Sequence, residues 1–368
     1  MAVGIVCEYN PFHNGHKYQI EMARKLSGDS VVCVMSGELV QRGELAVAPG
    51  EVRAKWAIDG GADLVLELPY PFSCSSAEIF ADSAVEILCA IPCVDKICFG
   101  AEDDDRDRFV EIARILLDKD CDKGIRDIIK QNKTLGYAQA RSVYLKEKYG
   151  AEYDEFLKKP NNILGVEYTK AVLKRNADID IIPIRRMGVS HDDKSTQGDF
   201  CSATYLRENV SEENFIKFTP IEKDTPIRRV DKEKLYAALC TVLMYSGKRV
   251  FAETDPGMMA KLKSCALRAK TYDEFFDLAK SKHITDARLR RSIVHILCRT
   301  EKDYFSNHSL YTRLLASSSQ GNEIMKGLRG SEFPVLSKVS DAKKYGGLVS
   351  LSLERSLCAG RIFEKLLK

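Results

Sequence analysis

The chain has 368 residues, is 45% hydrophobic and 30% charged, and carries a formal net charge of +3. That length exceeds the ~100–200 residues of one domain, and that balance excludes disorder, collagen and a disulfide-stapled miniprotein. No apolar run reaches the ~18 residues that cross a bilayer, and the opening MAVGIVCEYN has neither the basic segment nor the cleavage site of a signal peptide. A cytoplasmic protein without a membrane partner is expected.

The first half alternates strands and helices. GIVCEY is a strand, and HKYQIEMARKLSG a helix stopped by Gly28. SVVCVMSG, ADLVLELPY, VDKICFG and IDIIPIRR are further apolar strands. GEVRAKWAIDGG and SSAEIFADSAVEILCAI are helices between them, the second capped at Ser75 and Ser76 before Glu78. This pattern predicts an α/β fold with a doubly wound parallel sheet, covered on both faces. SATYLRENV opens another helix after the last strand. Beyond residue 210 the strands stop, and KEKLYAALCTVLMY, GMMAKLKSCALRA, TYDEFFDLAKS and TDARLRRSIVHILCR all carry helical periodicity. Residues 218–229, with Pro220 and Pro226, read as a linker. Two domains are expected, 1–210 and a mainly α-helical 211–368.

Charge divides at the same place. Residues 211–368 hold 29 Lys+Arg against 19 Asp+Glu, a net of +10, and residues 1–210 hold 27 against 34, a net of −7. The basic part is a candidate polyanion binder. Within it Lys280, Lys282, Arg288, Arg290 and Arg291 crowd one helix and the turn before it, in the manner of phosphate-backbone contacts. Tyr272, Phe275 and Phe276 nearby read as core. The twelve cysteines are scattered without a C-x-x-C pair, so they read as small buried hydrophobes, and no metal site is expected.

The strongest chemical signal is Asn10-Pro11-Phe12-His13-Asn14-Gly15-His16, directly after the first strand and opening the first helix. Gly15 lets backbone approach a phosphate. The helix start offers free N–H groups, and two imidazoles three residues apart can stabilise charge developing on one anion. Adenylyl transfer needs positioning and electrostatics rather than a nucleophile from the protein. Ser202, Thr204 and Arg207, after the last strand, supply hydroxyls and a guanidinium for the remaining phosphates. Gln41 and Arg42 lie on a loop at the expected site edge. Glu67 either lines the site or satisfies a helix terminus. Asp103, Asp104 and Asp105 read as a solvated first helical turn, and His191, Asp192 and Asp193 as a weak metal candidate.

These motifs resemble the signature of the H-I-G-H nucleotidyltransferase superfamily. Taken in order, GIVCEYNPFHNGHKY, VMSGELVQRGE, GADLVLELP, SSAEIFA, FGAED, PNNILGVEY and SATYLR resemble the tRNA(Met) cytidine acetate ligase family. KSKHITDARLRRSIVHIL resembles its basic helical region more loosely. The resemblance implies a nucleotidyltransferase-like catalytic domain followed by an RNA-binding one. It implies activation of acetate by ATP as acetyl-adenylate, with Mg²⁺ as a possible companion. The acetyl group then passes to N4 of the wobble cytidine of elongator tRNA-Met. It also implies a nucleotide site formed by Val6, Cys7, Glu8, Tyr9, Asn10, Pro11, Phe12, His13, Asn14, Gly15, His16, Lys17 and Tyr18. Gly100, Asn162, Arg185 and Arg186 join that site, with Asn162 offering its amide to a base or ribose. After VQRGE the family usually carries an acidic residue followed by Lys; this chain reads Leu45 to Glu51, LAVAPGE. The alternative is a small-molecule adenylyltransferase of the same superfamily, or a diverged paralogue using another acid or acceptor.

Overall fold

Successive residues along the central strands serve opposite cores. Ala2, Val6, Val32 and Val34 pack with Phe80, Val85, Phe109 and Val166, whereas Val3, Ile5, Cys33 and Met35 pack with Ile20, Ala23, Ala54 and Trp56. The computed structural model describes residues 1–28, 30–186, 196–208, 217–221, 227–281, 284–307 and 309–368. Strands β1 (Ala2–Cys7), β2 (Ser30–Ser36), β5 (Leu64–Leu68), β6 (Val94–Ala101) and β7 (Asp180–Arg185) pair in parallel in the order β5-β2-β1-β6-β7. Helices α1 (Asn14–Ser27) and α2 (Gly50–Asp59) cover one face. Helices α3 (Ala77–Cys89), α4 (Arg106–Leu117) and α8 (Pro160–Arg175) cover the other, with α5 (Lys119–Gln131), α6 (Tyr137–Lys148) and α7 (Ala151–Phe156) following α4. The expected doubly wound α/β arrangement is present. Short hairpins β3 (Leu39–Val40) with β4 (Glu44–Leu45), and β8 (Thr196–Gln197) with β9 (Phe200–Cys201), stand outside the main sheet, and α9 (Ala203–Glu208) follows the second.

The expectation that strands stop after residue 210 is corrected. Strand β10 (Thr312–Ser317) adds antiparallel to β5, and β11 (Val335–Leu336) adds parallel to β10, giving a sheet of seven. The addition is anchored by charge. Arg313 donates through Nε to Glu67 Oε2 at 2.7 Å, and its Nη1 pairs with Glu51 at 3.0 Å. Glu67 therefore neither lines the site nor caps a helix; it stitches β5 to β10. Burial raises its pKa and the adjacent Arg313 opposes this.

The helices Lys232–Tyr245, Pro256–Arg268, Tyr272–Ala279 and Asp286–Leu297 form a core of their own, with Phe275 and Phe276 inside it as expected. That core also takes in Leu39, Tyr70 and Cys74 from the first part of the chain. The linker reading is likewise modified. Phe218 is buried with Cys201 and Leu206, and Arg228 is tied down by Glu38 at 2.7 Å and by Val47 O. Pro226 lies outside the described residues. All twelve cysteines are free, and seven are buried.

Tyr70 joins the two parts through His295 Nδ1 at 2.9 Å and Thr300 Oγ1 at 2.5 Å. Burial, with Arg291 nearby, pushes the His295 pKa down to about 3. The unfolded chain then binds the proton more readily than the folded one. Stability attributable to His295 is full above pH ~6.5 and falls by about 1.4 kcal/mol for each unit below it, down towards the folded value. His295→Gln should flatten the fall in melting temperature between pH 7 and pH 5. An unchanged slope in differential scanning calorimetry would remove His295 as its source.

Candidate active site

The parallel strands end at one edge, and a cavity of about 310 Å³ opens there. Such a crevice beyond the carboxyl ends of the strands is where open α/β sheets bind ligands. Its floor is the end of β1 and the loop into α1: Val6, Cys7, Glu8, Tyr9, Asn10, His13 and His16 all line it. Tyr9 takes φ 47°, an uncommon backbone for an aromatic residue and one found at functional sites.

The two histidines build the start of α1 themselves. His13 is its N-cap, with Nδ1 accepting from Gly15 N at 3.1 Å, and His16 Nδ1 accepts in return from His13 N at 3.2 Å. This is a capping box made of imidazoles, where Ser or Thr and Glu or Gln usually stand. The rings stack with centroids 3.6 Å apart. With both Nδ1 atoms accepting, each neutral ring carries its proton on Nε2, a donor suited to an anion. Gly15 has a steric reason beyond phosphate approach: a Cβ there would lie 2.9 Å from His13 Cε1.

Arg207 and Arg186 bring positive charge from other elements. Arg207, on α9, donates to Asn10 O at 2.7 Å and to Thr204 Oγ1 at 3.0 Å. Arg186 follows β7, and its N–H is held by Ala101 O at 2.9 Å. Both guanidiniums line the cavity, and burial lowers both pKa values. At Arg186 the Glu102 carboxylate opposes that effect, and at Arg207 Glu44 and Glu8 do so. Gly100 and Ser202 also line the cavity, with Ser202 Oγ accepting from Tyr205 N at 3.0 Å. Gly15, Tyr18 and Arg185 line a smaller adjoining recess, shared with His13, His16, Gly100 and Arg186.

Other predicted residues lie away from the cavity. Phe12 is fully buried, edge-on to Tyr9, and Pro11 is buried beside it in the chain. Lys17 is exposed on α1. Asn14 reaches across to Asp199 O at 2.9 Å and Lys217 O at 3.0 Å. Thr204 acts by holding Arg207 rather than by lining the site. Asn162 is corrected outright, because it is fully buried. Its Oδ1 accepts from Glu102 N and Asp103 N, and its Nδ2 donates to Asp103 Oδ2 and Phe156 O. The amide is spent on shaping the turn after β6 and offers nothing to a base. The reading of Asp103–Asp105 as a solvated first turn is corrected: Asp105 is the N-cap of α4, which starts at Arg106, and Asp103 is tied down by Lys159 and Asn162.

The basic cluster is also redistributed. Arg291 is buried and held by Glu253 through Nε at 3.2 Å and Nη2 at 3.2 Å, so it is withdrawn as an RNA contact. Arg290 pairs with Glu44 at 3.6 Å, Arg288 lies 3.9 Å from Asp255, and Lys280 pairs with Asp277 at 3.0 Å, all three partly exposed. Lys282, His191, Asp192 and Asp193 lie outside the described residues.

Sequence reasoning placed Gln41 and Arg42 correctly at the cavity edge. It missed the opposite wall, made by Phe80 of α3, Phe99 of β6 and Ile163, Leu164 and Tyr168 of α8. Their periodicity reads only as core. Gln19 was within reach, since it lies one helical turn beyond His16.

A stacked histidine pair at a strand–helix junction, with guanidiniums converging from later elements, defines an α/β nucleotidyltransferase of the H-x-G-H type. A family model described as HIGH Nucleotidyl Transferase matches residues 1–368. The chain belongs more narrowly to the tRNA(Met) cytidine acetate ligase family. The ligase of Caldanaerobacter subterraneus subsp. tengcongensis is 34% identical over 362 residues, covering 93% of this chain and 90% of that protein. The one from Mycoplasma mobile is 35% identical over 309 residues, covering 82% of this chain and all of that protein (100%). The structure of Thermotoga maritima TmcAL bound with alpha-thio ATP is 27% identical, with a TM-score of 0.86 over 99% of this chain and 94% of that one.

Proposed function

We propose that this chain is an ATP-dependent ligase that activates acetate as acetyl-adenylate. It then transfers the acetyl group to N4 of the wobble cytidine of elongator tRNA-Met, in the cytoplasm where that acceptor is found. The observation that carries the reading is the imidazole capping box at the cavity floor, in a chain aligned along most of its length with ligases of that name. His13 and His16 stabilise charge developing at the α-phosphate, and Arg186 and Arg207 neutralise the other phosphates. Among the described residues no group of three or more His, Cys, Asp or Glu side chains is assembled to hold a metal. Mg²⁺ enters this reading as a companion of the ATP phosphates. Residues 1–210 supply the catalytic surface in this reading, and Lys280, Arg288 and Arg290 contribute to tRNA docking. Mass spectrometry of tRNA nucleosides after incubation with ATP, acetate and the protein tests it. N4-acetylcytidine should form, and omitting either small molecule should abolish it. AMP and pyrophosphate without a modified nucleoside would favour another acceptor.

The Gln41–Glu44 hairpin rests on the helix Asp286–Leu297. Arg291 Nη1 donates to Gln41 O at 3.4 Å. Gly43 takes φ 79°, and a Cβ there would run into the backbone of Arg290 and Arg291. Gly43→Ala should therefore move Gln41 and Arg42 and lower kcat/KM for acetylation by about 10²-fold. Steady-state kinetics at wild-type levels would show that the hairpin does not position the site.

A further inference from the structure

We propose that Glu8 is the group that receives the cytidine amine: it accepts a hydrogen bond from N4 and takes its proton as the acetyl group is transferred. The proposal rests on the ligase reading above. Glu8 directly follows β1 and faces the cavity. Its Oε1 is fixed by Gln41 N at 2.7 Å, and Gln41 is itself anchored through Nε2 to Ser75 O at 3.2 Å. Among the described residues Oε2 has no hydrogen-bond or ion-pair partner. The other carboxylate at the cavity wall, Glu44, is paired with Arg290 at 3.6 Å.

The remaining polar lining is mostly cationic or donating, which suits phosphates and acetate. An acceptor-only carboxylate repels both anions and invites an N–H donor. A cytosine presents that donor at N4, and a carboxylate is its ordinary protein partner. Beyond Glu8 the wall turns apolar at Phe80, Phe99 and Leu164, a surface fit for a base taken out of its stack. Arg207, Arg42 and Arg53 face Glu8 and favour its charged form, and Tyr168 lies near it from α8. Burial is the larger influence and raises its pKa above the usual carboxylate value, which brings it nearer to the working range of a general base.

The step balances without another reactant. The N4 lone pair attacks the acetyl carbonyl of acetyl-adenylate, and a C–N bond forms. The C–O bond to the phosphate breaks, AMP leaves with that electron pair, and the N4 proton passes to Glu8.

Supplying preformed acetyl-adenylate and tRNA isolates this step. Glu8→Gln keeps an oxygen for Gln41 N, so the hairpin contact survives. Its single-turnover transfer rate should fall by about 10²-fold or more. The wild-type rate should rise with pH along an acid limb that Glu8→Gln lacks, and Glu8→Asp should restore part of both rate and limb. Transfer by Glu8→Gln at the wild-type rate with the same limb would overturn the proposal. So would a variant that only raises KM for ATP, because Glu8 would then be holding the adenine amine. If the wild type itself cannot transfer from acetyl-adenylate, the ligase reading fails and this proposal with it.

Discussion

Acetate-dependent pyrophosphate release should fall by at least about 10³-fold when His13 and His16 are both replaced, since one preorganised donor to a developing charge is worth about 10²–10³. The choice of replacement matters, because the two rings also cap α1. Alanine at both positions removes the capping box, at about 1 kcal/mol for a lost cap, and confounds chemistry with folding. His13→Asn with His16→Gln supplies the usual N-cap and N3 side chains. That double variant should melt within a few degrees of wild type while losing pyrophosphate release. Pyrophosphate production at the wild-type rate from a folded double variant would end the adenylyl-transfer reading.

Arg291 should behave as the opposite of an RNA contact. Its guanidinium is buried against Glu253, with side chains 9% and 12% exposed. Removing one partner of such a pair leaves a buried uncompensated charge and costs about 3–5 kcal/mol. Arg291→Ala should therefore lower the melting temperature sharply. Lys280→Ala with Arg288→Ala should lower melting far less, because their exposed ion pairs are worth about 0–1 kcal/mol and the Arg288 Nε bond to Glu253 O about 1 kcal/mol. If these two residues touch tRNA phosphates, each loss flattens the log–log salt dependence of binding by about 0.7–0.9. A flattened slope in Arg291→Ala at unchanged melting temperature would reverse the assignment.

The five parallel strands and the strand–helix turn at the cavity floor are legible in the sequence. Strands β1, β2, β5, β6 and β7 are continuous apolar runs because both faces are covered, and local composition alone reports that. His13, Gly15 and His16 are legible because strand end, turn and helix start follow one another within a few residues. Their mutual capping uses only local hydrogen bonds. What the tertiary structure decided are partnerships across long separations. Glu67 meets Arg313 on an antiparallel strand that no alternation announced. Arg291 is drawn into the interior by Glu253, so a charge that reads as solvated is buried. Asn162 is consumed by the Glu102–Asp103 turn, although its residue type suits a nucleoside equally well. Glu8, already among the expected site residues, takes its orientation from Gln41 on another loop. Periodicity depends on neighbours along the chain and is written there. The partner of a charge or an amide depends on which distant segment folds against it, and only the packed molecule fixes that.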